Sequence, residues 1–212
     1  MVARTIRRLN LRRKDEPMKI IIASSNNHKI KEIAARCEDI PVAEFVSVKD
    51  VLSMGDIEEN GSTFEENSLI KARAVRDATG MISLADDSGI VIDALGGEPG
   101  IYSARYGDLP SDTERNALVL SKLSGIGTAL RTARFVCVLS LAFPDGREYT
   151  VRGECEGSVL EHPRGTGGFG YDPIFLLPNG KTMAELSLEE KNRISHRAVA
   201  LDKLHSLLLD IL

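Results

Sequence analysis

Residues 18–29, with the sequence MKIIIASSNNHK, decide the fold class of this chain. The first six are a short β-branched run, which predicts a first, buried strand. Residues 24–27 supply turn and N-cap side chains, and a helix is predicted to follow because apolar residues recur with helical spacing at Ile30, Ala34 and Cys37. A buried strand that leads into a helix is typical of an α/β fold.

The elements that follow extend this pattern. A second helix is predicted over 63–79, closed by Gly80, and further helices over 112–123 and 195–212. Strands are predicted over 82–85, 90–93, 134–143 and 148–157, with the hairpin signal Pro144-Asp145-Gly146 between the last two. The last helix carries an apolar stripe that predicts a core face: Ile194, Ala198, Leu201, Leu204, Leu208 and Ile211. Because crossovers and a hairpin are combined, we predict an α/β fold with a mixed β-sheet flanked by helices.

Residues 1–17 differ from the rest of the chain in charge. They carry six basic side chains against Asp15 and Glu16, so the net charge of −4 divides into +4 here and −8 in the remainder. A basic leader is a disordered extension, a nucleic-acid arm or an organellar address, and we expect the first. The acidic remainder, residues 18–212, is expected to form one domain with no nucleic-acid partner.

Composition excludes several classes of protein. No stretch approaches the roughly 18–20 consecutive apolar residues that a membrane helix needs. The three cysteines Cys37, Cys137 and Cys155 are odd in number, widely separated and without metal-ligand spacing. We therefore expect a reducing, cytoplasmic setting and no membrane partner.

Two adjacent carboxylates, Asp86 and Asp87, follow an apolar segment and precede Ser88 and Gly89. Successive strand residues point to opposite faces, so these carboxylates do not share one solvated surface. A carboxylate at the mouth of a buried strand is well placed to hold Mg²⁺, which prefers oxygen ligands and keeps waters for a phosphate substrate. The same residues also suit a solvated turn, and this stretch alone leaves both interpretations open.

The segment 57–72, IEENGSTFEENSLIKA, joins an acidic loop to a helix. Thr63 and Glu66 fit a capping box, which predicts a structural role for Glu66. Asn67 and Lys71 are four residues apart, so they share one helix face. Glu58 and Glu59 precede the cap and are free to reach a metal, although a solvated acidic loop is the alternative.

Two later segments carry possible ligand contacts. Residues 165–170, GTGGFG, match a dinucleotide fingerprint in letters only, because no strand precedes them and Pro173 prevents an immediate helix. They predict a pliant loop in which Phe169 and Tyr171 stack on a base. Ser195 is a predicted N-cap that places His196 and Arg197 at the positive end of a helix, a conflict expected where an anion binds.

Taken together, these segments resemble the non-standard purine NTP pyrophosphatases, also called ITPases or dITP/XTP pyrophosphatases. The matching stretches come in the family's order and span nearly all of the chain from Met18 onward: 24–29, 58–72, 85–89, 99–106, 167–175 and 194–197. The resemblance implies an elongated α/β fold with two lobes around a nucleotide cleft, in a homodimer. It implies Mg²⁺-dependent hydrolysis of ITP, dITP and XTP to the monophosphate and pyrophosphate.

The resemblance also implies roles for individual residues. Asp87 becomes the general base and a metal ligand, and Glu58 the second metal ligand; whether Asp86 or Glu59 also ligates stays open. The substrate contacts implied on the phosphate side are Ser24, Ser25, Asn26, Asn27, His28, Lys29 and Ser88. Those implied on the nucleoside side are Phe169, Gly170, Tyr171, Asp172, Lys191, His196 and Arg197.

The chemistry of these residue types agrees with the implied reaction. Phosphoryl substitution depends on positioning and on neutralising spread negative charge. We expect Asp87 to take a proton from the attacking water and Lys29 and Lys71 to stabilise the phosphates. Donors from His196 or Arg197 are expected to favour O6 of hypoxanthine or xanthine over the amino group of adenine.

Three alternatives stay open at this point. One is a pyrophosphatase of similar fold that acts on pyrimidine or modified nucleotides, as in the septum-inhibitor-like relatives. A second is a nucleotide-binding sensor without turnover. A third is an RNA-binding protein that uses the basic leader.

Overall fold

A six-stranded mixed sheet forms the frame of the molecule. The computed structural model describes residues 18–24, 30, 32–33, 36, 43–55 and 57–211. The strands are β1 (Met18–Ile22), β2 (Ala43–Ser47), β3 (Ile82–Ile92), β4 (Thr132–Ala142), β5 (Glu148–Val159) and β6 (Phe175–Leu176), in the spatial order β2-β1-β3-β4-β5-β6. The first three are mutually parallel and the rest antiparallel, which confirms the predicted mixed α/β fold.

Helices cover both faces of this sheet. The described helices are α1 (Val48–Val51), α2 (Phe64–Thr79), α3 (Asp112–Lys122), α4 (Leu188–Ile194) and α5 (His196–Ile211), with short 3₁₀ segments that include Gly100–Asp108. α2 packs on β3 and β4, whereas α5 packs on β4 and β5. They lie on opposite faces, because α2 contacts Ser83 and Asp87 of β3 and α5 contacts Asp86.

The prediction of two strands over 82–85 and 90–93 is wrong, because β3 is continuous from Ile82 to Ile92. Asp86 to Gly89 pair with Leu139 to Val136 of β4. The buried run of β4 supplies a complete hydrogen-bonding partner, so the turn propensity of these four residues is overridden. Gly89 is needed here, since a Cβ would lie 2.4 Å from both Gly100 O and Ser103 Oγ.

Several predicted boundaries are confirmed by their caps. The Thr63 side chain accepts a hydrogen bond from Glu66 N, and Gly80 ends α2 with φ 67°. The hairpin between β4 and β5 closes at Gly146, whose N–H donates to Phe143 O and whose φ is 93°. The predicted helix over 195–212 is described from His196 to Ile211 and is separated from α4 by extended backbone at Ser195.

Two hydrophobic clusters lie toward opposite ends of the long strands. One joins β1 and the first half of β3 to α5, through residues such as Ile22, Leu84 and Leu204. The other joins the far end of β3 to α3 and β6, through residues such as Ile92 and Val119. An 11-residue strand spans roughly 36 Å at about 3.3 Å per residue, so β3 connects both clusters. The position of one cluster at each end of this strand agrees with the expected two lobes.

The apolar stripe predicted along the last helix is confirmed at four buried residues, Ala198, Leu201, Leu204 and Leu208. Ile194 is an error in that stripe. It is 41% exposed because it belongs to α4 and precedes the break at Ser195.

Two predictions lie wholly or partly outside the described residues. Nothing is described for residues 1–17, and only residues 30, 32, 33 and 36 of the helix predicted near Asn27 to Cys37 are described, all of them helical. Among the described helices none has the length and apolarity to cross a membrane.

Candidate functional site

A cavity of about 820 Å³ opens beyond the carboxyl end of β1. β1 pairs with β3 from Ile20↔Ile82 to Ile22↔Leu84, and Ala23 N then donates to Leu84 O. β3 continues past this point, so its residues 86–88 follow the end of β1 on the same edge of the strand. Ligands of α/β sheets bind outside the carboxyl ends of strands. The polar lining includes Ser24, Lys49, Ser53, Glu58, Glu59, Lys71, Asp86 and Arg105.

Lys71 is the centre of a charged cluster at this cavity. Its Nζ donates to Asp87 Oδ1 and to Glu59 Oε1, at 2.8 Å in each case. The Lys71 and Asp87 side chains are 11% and 9% exposed. Burial by itself lowers the pKa of Lys71, but the Asp87 and Glu59 carboxylates outweigh burial, and the pKa is raised above its ordinary value. Lys71 is therefore a permanent cation at neutral pH.

Close packing between α2 and the sheet brings Lys71 to Asp87. Ser68 Oγ donates to Ala85 O and to Val138 O, at 3.2 Å each, and Ser83 Oγ donates to Ala72 O. Ser68, Ala72 and Ala85 are completely buried. Because the small side chains of Ser68 and Ala72 let the helix lie close to β3 at this point, the ammonium of Lys71 reaches the Asp87 carboxylate on β3.

The acidic loop before α2 is fixed by the first turn of that helix. Gly61 N donates to Asn67 Oδ1 at 2.9 Å, and Ser62 donates through both N and Oγ to Glu66 Oε2. Half of the predicted capping box is thus present, while the Glu66 carboxylate binds Ser62 instead of Thr63 N. This arrangement directs Glu59 toward Lys71.

Glu58 and Glu59 differ in what they contact. Glu58 lines the cavity but is exposed, whereas the Glu59 side chain is 24% exposed and bonded to Lys71. Arg105 Nη1 also lies 3.6 Å from Glu59 Oε2. Arg105 was not predicted as a site residue, and its only sequence signal was its place in the matching stretch 99–106.

Asp86 and Arg197 form a second cluster, on the face of β3 opposite Asp87. Arg197 Nε lies 3.2 Å from Asp86 Oδ2, and its Nη1 donates to Glu32 Oε2 at 2.8 Å. Ser88 Oγ donates to Asp86 Oδ1 at 2.7 Å and accepts from Arg197 Nη2, and Cys137 Sγ donates to Asp86 Oδ2. The side chains of Arg197 and Asp86 are 3% and 0% exposed. Arg197 therefore bonds to Asp86, Glu32 and Ser88, whereas the sequence predicted that it contacts the nucleoside.

A third cluster contains the residues predicted on the nucleoside side. Asp172 Oδ2 accepts from Phe169 N at 2.9 Å and from Lys191 Nζ at 2.5 Å. Lys191 Nζ lies 4.6 Å from the centroid of the Phe169 ring, and that ring is 39% exposed. Tyr171, by contrast, is buried in the core with its hydroxyl donating to Ser103 O. Of the two aromatics predicted to stack on a base, only Phe169 is open to a ligand.

His196 is buried, and most of the predicted phosphate loop lies outside the described residues. The His196 ring stacks on Phe135 with centroids 4.9 Å apart, and the residue is 6% exposed. Ser24 lines the cavity. The other predicted loop residues lie outside the described part of the chain: Ser25, Asn26, Asn27, His28 and Lys29.

Comparisons with known proteins identify a family that this chain resembles in sequence and in fold. The model of the Ham1 family matches residues 20–207. The dITP/XTP pyrophosphatase of Geobacter sulfurreducens is 49% identical over 185 residues, which cover 86% of this chain and 92% of that protein. A HAM1 protein from Coxiella burnetii has a TM-score of 0.85 at 42% identity, over 91% of this chain and 99% of that one. A nucleoside-triphosphatase / dITP/XTP pyrophosphatase from Mycobacterium abscessus has a TM-score of 0.77 at 44% identity, over 90% and 100%.

Proposed function

The chain belongs to the Ham1 family, and from this premise we propose that it is a nucleoside triphosphate pyrophosphohydrolase. The proposed reaction converts ITP, dITP and XTP to the monophosphate and pyrophosphate and so clears deaminated purines from the nucleotide pool. The observation that carries the proposal is the ion-paired group Asp87–Lys71–Glu59 beside the 820 Å³ cavity. A buried ammonium between two carboxylates beside this cavity suits substitution at a phosphate.

Magnesium is the cofactor that this site fits. Mg²⁺ in phosphate-handling sites is held by one or two carboxylates together with substrate oxygens and waters. Asp87 and Glu59 supply two carboxylates that approach the same ammonium. We propose a site of this kind, in which a metal is shared between protein carboxylates and the substrate; no cluster of three or more His, Cys, Asp and Glu side chains able to hold a metal occurs among the described residues.

We propose Asp87 and Glu58 as the metal-holding carboxylates, as the family resemblance implies, because Glu58 lines the cavity with an exposed side chain. Glu59, which accepts a hydrogen bond from Lys71, stands as a further candidate ligand. When bound, Mg²⁺ neutralises phosphate charge and acidifies a water. The variants Glu58→Gln and Glu59→Gln separate the two candidates, since the loss of a metal ligand raises the Mg²⁺ concentration needed for half-maximal activity. We expect this increase for Glu58→Gln.

The chain's own residues then account for the reaction. Asp87 accepts the proton of the water that attacks the α-phosphorus. Lys71, which stays protonated, stabilises the negative charge that spreads over the α-phosphate and the leaving pyrophosphate. Arg105, with a half-exposed side chain on the cavity wall, adds a second described cation on the phosphate side.

The remaining substrate contacts keep the assignment that the family resemblance implies. We propose that Ser24 to Lys29 and Ser88 bind the phosphates. The nucleoside side is proposed to consist of Phe169, Gly170, Tyr171, Asp172, Lys191, His196 and Arg197. Within this set we propose that Phe169 stacks on the base, while buried Tyr171, His196 and Arg197 shape the site from behind.

A homodimer and a cytoplasmic location complete the proposal, as the family resemblance implies. A dimer requires a solution mass twice the 23.1 kDa of one chain. Multi-angle light scattering tests this directly, since a monodisperse mass of one chain contradicts it.

The experiment that tests the function is a panel of pyrophosphate-release assays with and without Mg²⁺. We expect release from ITP, dITP and XTP, little from ATP and GTP, and none without the metal. Hydrolysis in ¹⁸O-water is expected to label the monophosphate and to leave pyrophosphate unlabelled. Preference for dUTP or dTTP indicates the pyrimidine or modified-nucleotide class, and tight ITP binding without turnover indicates a sensor.

A further inference from the structure

Both backbone polar groups of Gly170 are held by one face of α3. Gly170 N donates to Asp112 Oδ2 at 2.6 Å, and Asn116 Nδ2 donates to Gly170 O at 3.0 Å. Asp112 and Asn116 are four residues apart, so they project from the same side of the helix. Neither residue was singled out by the sequence, and neither contacts the Asp87–Lys71 pair.

Asp112 and Asn116, which together form a clamp on Gly170, are themselves held in place by their neighbours. Ser111 caps α3 with a complete capping box. Arg115 pairs with Asp112 and donates through Nη1 to Leu109 O at 2.6 Å, which fixes the carboxylate that receives Gly170 N. Asn116 is only 5% exposed. The positions of both clamp side chains are therefore set before any ligand binds.

The clamped residue has an unusual backbone conformation next to the exposed aromatic ring. Gly170 has φ 61°, in the left-handed region that favours glycine. It directly follows Phe169, whose N–H is held by Asp172. The clamp on α3 and the Asp172–Lys191 pair thus fix this loop from two sides, and together they determine where the Phe169 ring lies.

We propose that Asp112 and Asn116 are positioning residues of the nucleoside site. They hold the Gly170 backbone so that Phe169 stays open beside Lys191 and is ready to stack on a base. The inference rests on the proposed function, because it needs a nucleoside at Phe169. It assigns part of nucleoside affinity to a helix that need not touch the nucleotide.

If Asp112 and Asn116 position the nucleoside site, their removal raises KM for ITP and leaves kcat nearly unchanged. Loss of a hydrogen bond that holds the loop weakens binding of the nucleoside, while the groups at the phosphates are unchanged. For Asn116→Ala and Asp112→Ala we expect KM for ITP to rise roughly five- to tenfold, which is the fold-change that corresponds to the loss of one hydrogen bond. We expect kcat to stay within about twofold of the parental value. Asp112→Asn keeps an oxygen acceptor for Gly170 N but loses the ion pair with Arg115, so its KM is expected to lie between those of the parental protein and Asp112→Ala.

The matched control is Ser111→Ala, which weakens the cap of α3 without removing a contact to Gly170. It is expected to lower the melting temperature and to leave KM unchanged. A second readout is thermal stabilisation of the protein by IMP and by inorganic pyrophosphate, both with Mg²⁺. The Asn116→Ala protein is expected to be stabilised less by IMP than the parental protein and equally by pyrophosphate.

The outcomes separate this inference from the proposed function. If the parental protein releases no pyrophosphate from ITP, the proposed function fails. If the parental protein is active but KM in Asn116→Ala and Asp112→Ala equals the parental KM, the positioning role is refuted. It is also refuted if Ser111→Ala raises KM as much as they do, since the effect then comes from general destabilisation of α3.

Discussion

Replacing Arg197 with methionine tests whether the buried cluster around Asp86 supports the fold. The exchange keeps most of the side-chain volume and removes the charge, so the loss is not mainly that of a cavity. It leaves the Asp86 carboxylate, whose side chain is 0% exposed, without the guanidinium at 3.2 Å. Breaking a buried ion pair from one side costs about 3–5 kcal/mol, because the remaining charge is uncompensated.

The expected loss is large enough to measure by two routes. For a chain of this size, about 1 kcal/mol shifts the melting temperature by roughly 2–4 °C, so we expect a decrease of about 6–20 °C. Urea unfolding should be followed by far-UV circular dichroism, because the chain contains no tryptophan. The urea midpoint should fall while the denaturant slope stays near the parental value.

Two further variants identify the cause. Arg193→Met removes an arginine whose partner is Glu189, with side chains 72% and 77% exposed, and is expected to cost less than about 0.5 kcal/mol. Asp86→Asn, added to Arg197→Met, removes the uncompensated charge and should restore part of the lost stability. A loss below about 1 kcal/mol in Arg197→Met, or no recovery in the double variant, would refute the reasoning.

Three other predictions concern separate parts of the molecule. Lys71→Met is expected to lower kcat for ITP by roughly 10²–10³-fold, because a cation that faces developing charge is lost; an unchanged kcat removes Lys71 from the mechanism. The pKa of Glu148 is lowered, chiefly by its hydrogen bond from Arg73 and also by Arg76, so its stabilisation is present above the ordinary pKa of 4.5 and disappears as pH falls through the folded value. Glu148→Gln should therefore be less stable than the parental protein by up to about 1 kcal/mol at pH 7, and the difference should shrink progressively as the pH falls below 4.5, measured by urea unfolding over that pH range. Burial raises the pKa of Cys155 to about 11, so we expect slow alkylation by iodoacetamide at pH 8, followed by peptide mass spectrometry; labelling as fast as that of a free peptide thiol contradicts this.

Local chemistry was sufficient to predict some elements and not others. α2 ends where the sequence places its caps, at Thr63 and Gly80, because both signals act through neighbouring backbone groups. β3 could not be predicted as one strand, since Asp86 to Gly89 favour a turn locally and become a strand only through pairing with β4. The pairing partner lies about fifty residues away in sequence, where local patterns carry no information about it.

The candidate site shows the same division. The chemistry of the residue types pointed to Lys71 and the resemblance pointed to Asp87, and the structure brings these two together. The path of the loop that carries Glu58 and Glu59 depends on its hydrogen bonds to Asn67 and Glu66, which sequence spacing does not specify.

The burial of Arg197 could not be predicted from the sequence either. It depends on how closely α5 approaches β5, where a Cβ on Gly153 would lie only 2.2 Å from His196 O and 2.3 Å from Ala200 N. Glycine at that position allows the helix to approach the strand and brings the start of α5 into the core.

The turnover of Asp87→Asn tests the central claim most directly. The measurement is the initial rate of pyrophosphate release from ITP with Mg²⁺, on protein whose far-UV spectrum and urea midpoint show that it is folded. A general base contributes about 10²–10⁴-fold, so we predict a loss in kcat of at least that order. A folded Asp87→Asn protein that releases pyrophosphate at a near-parental rate would contradict the account.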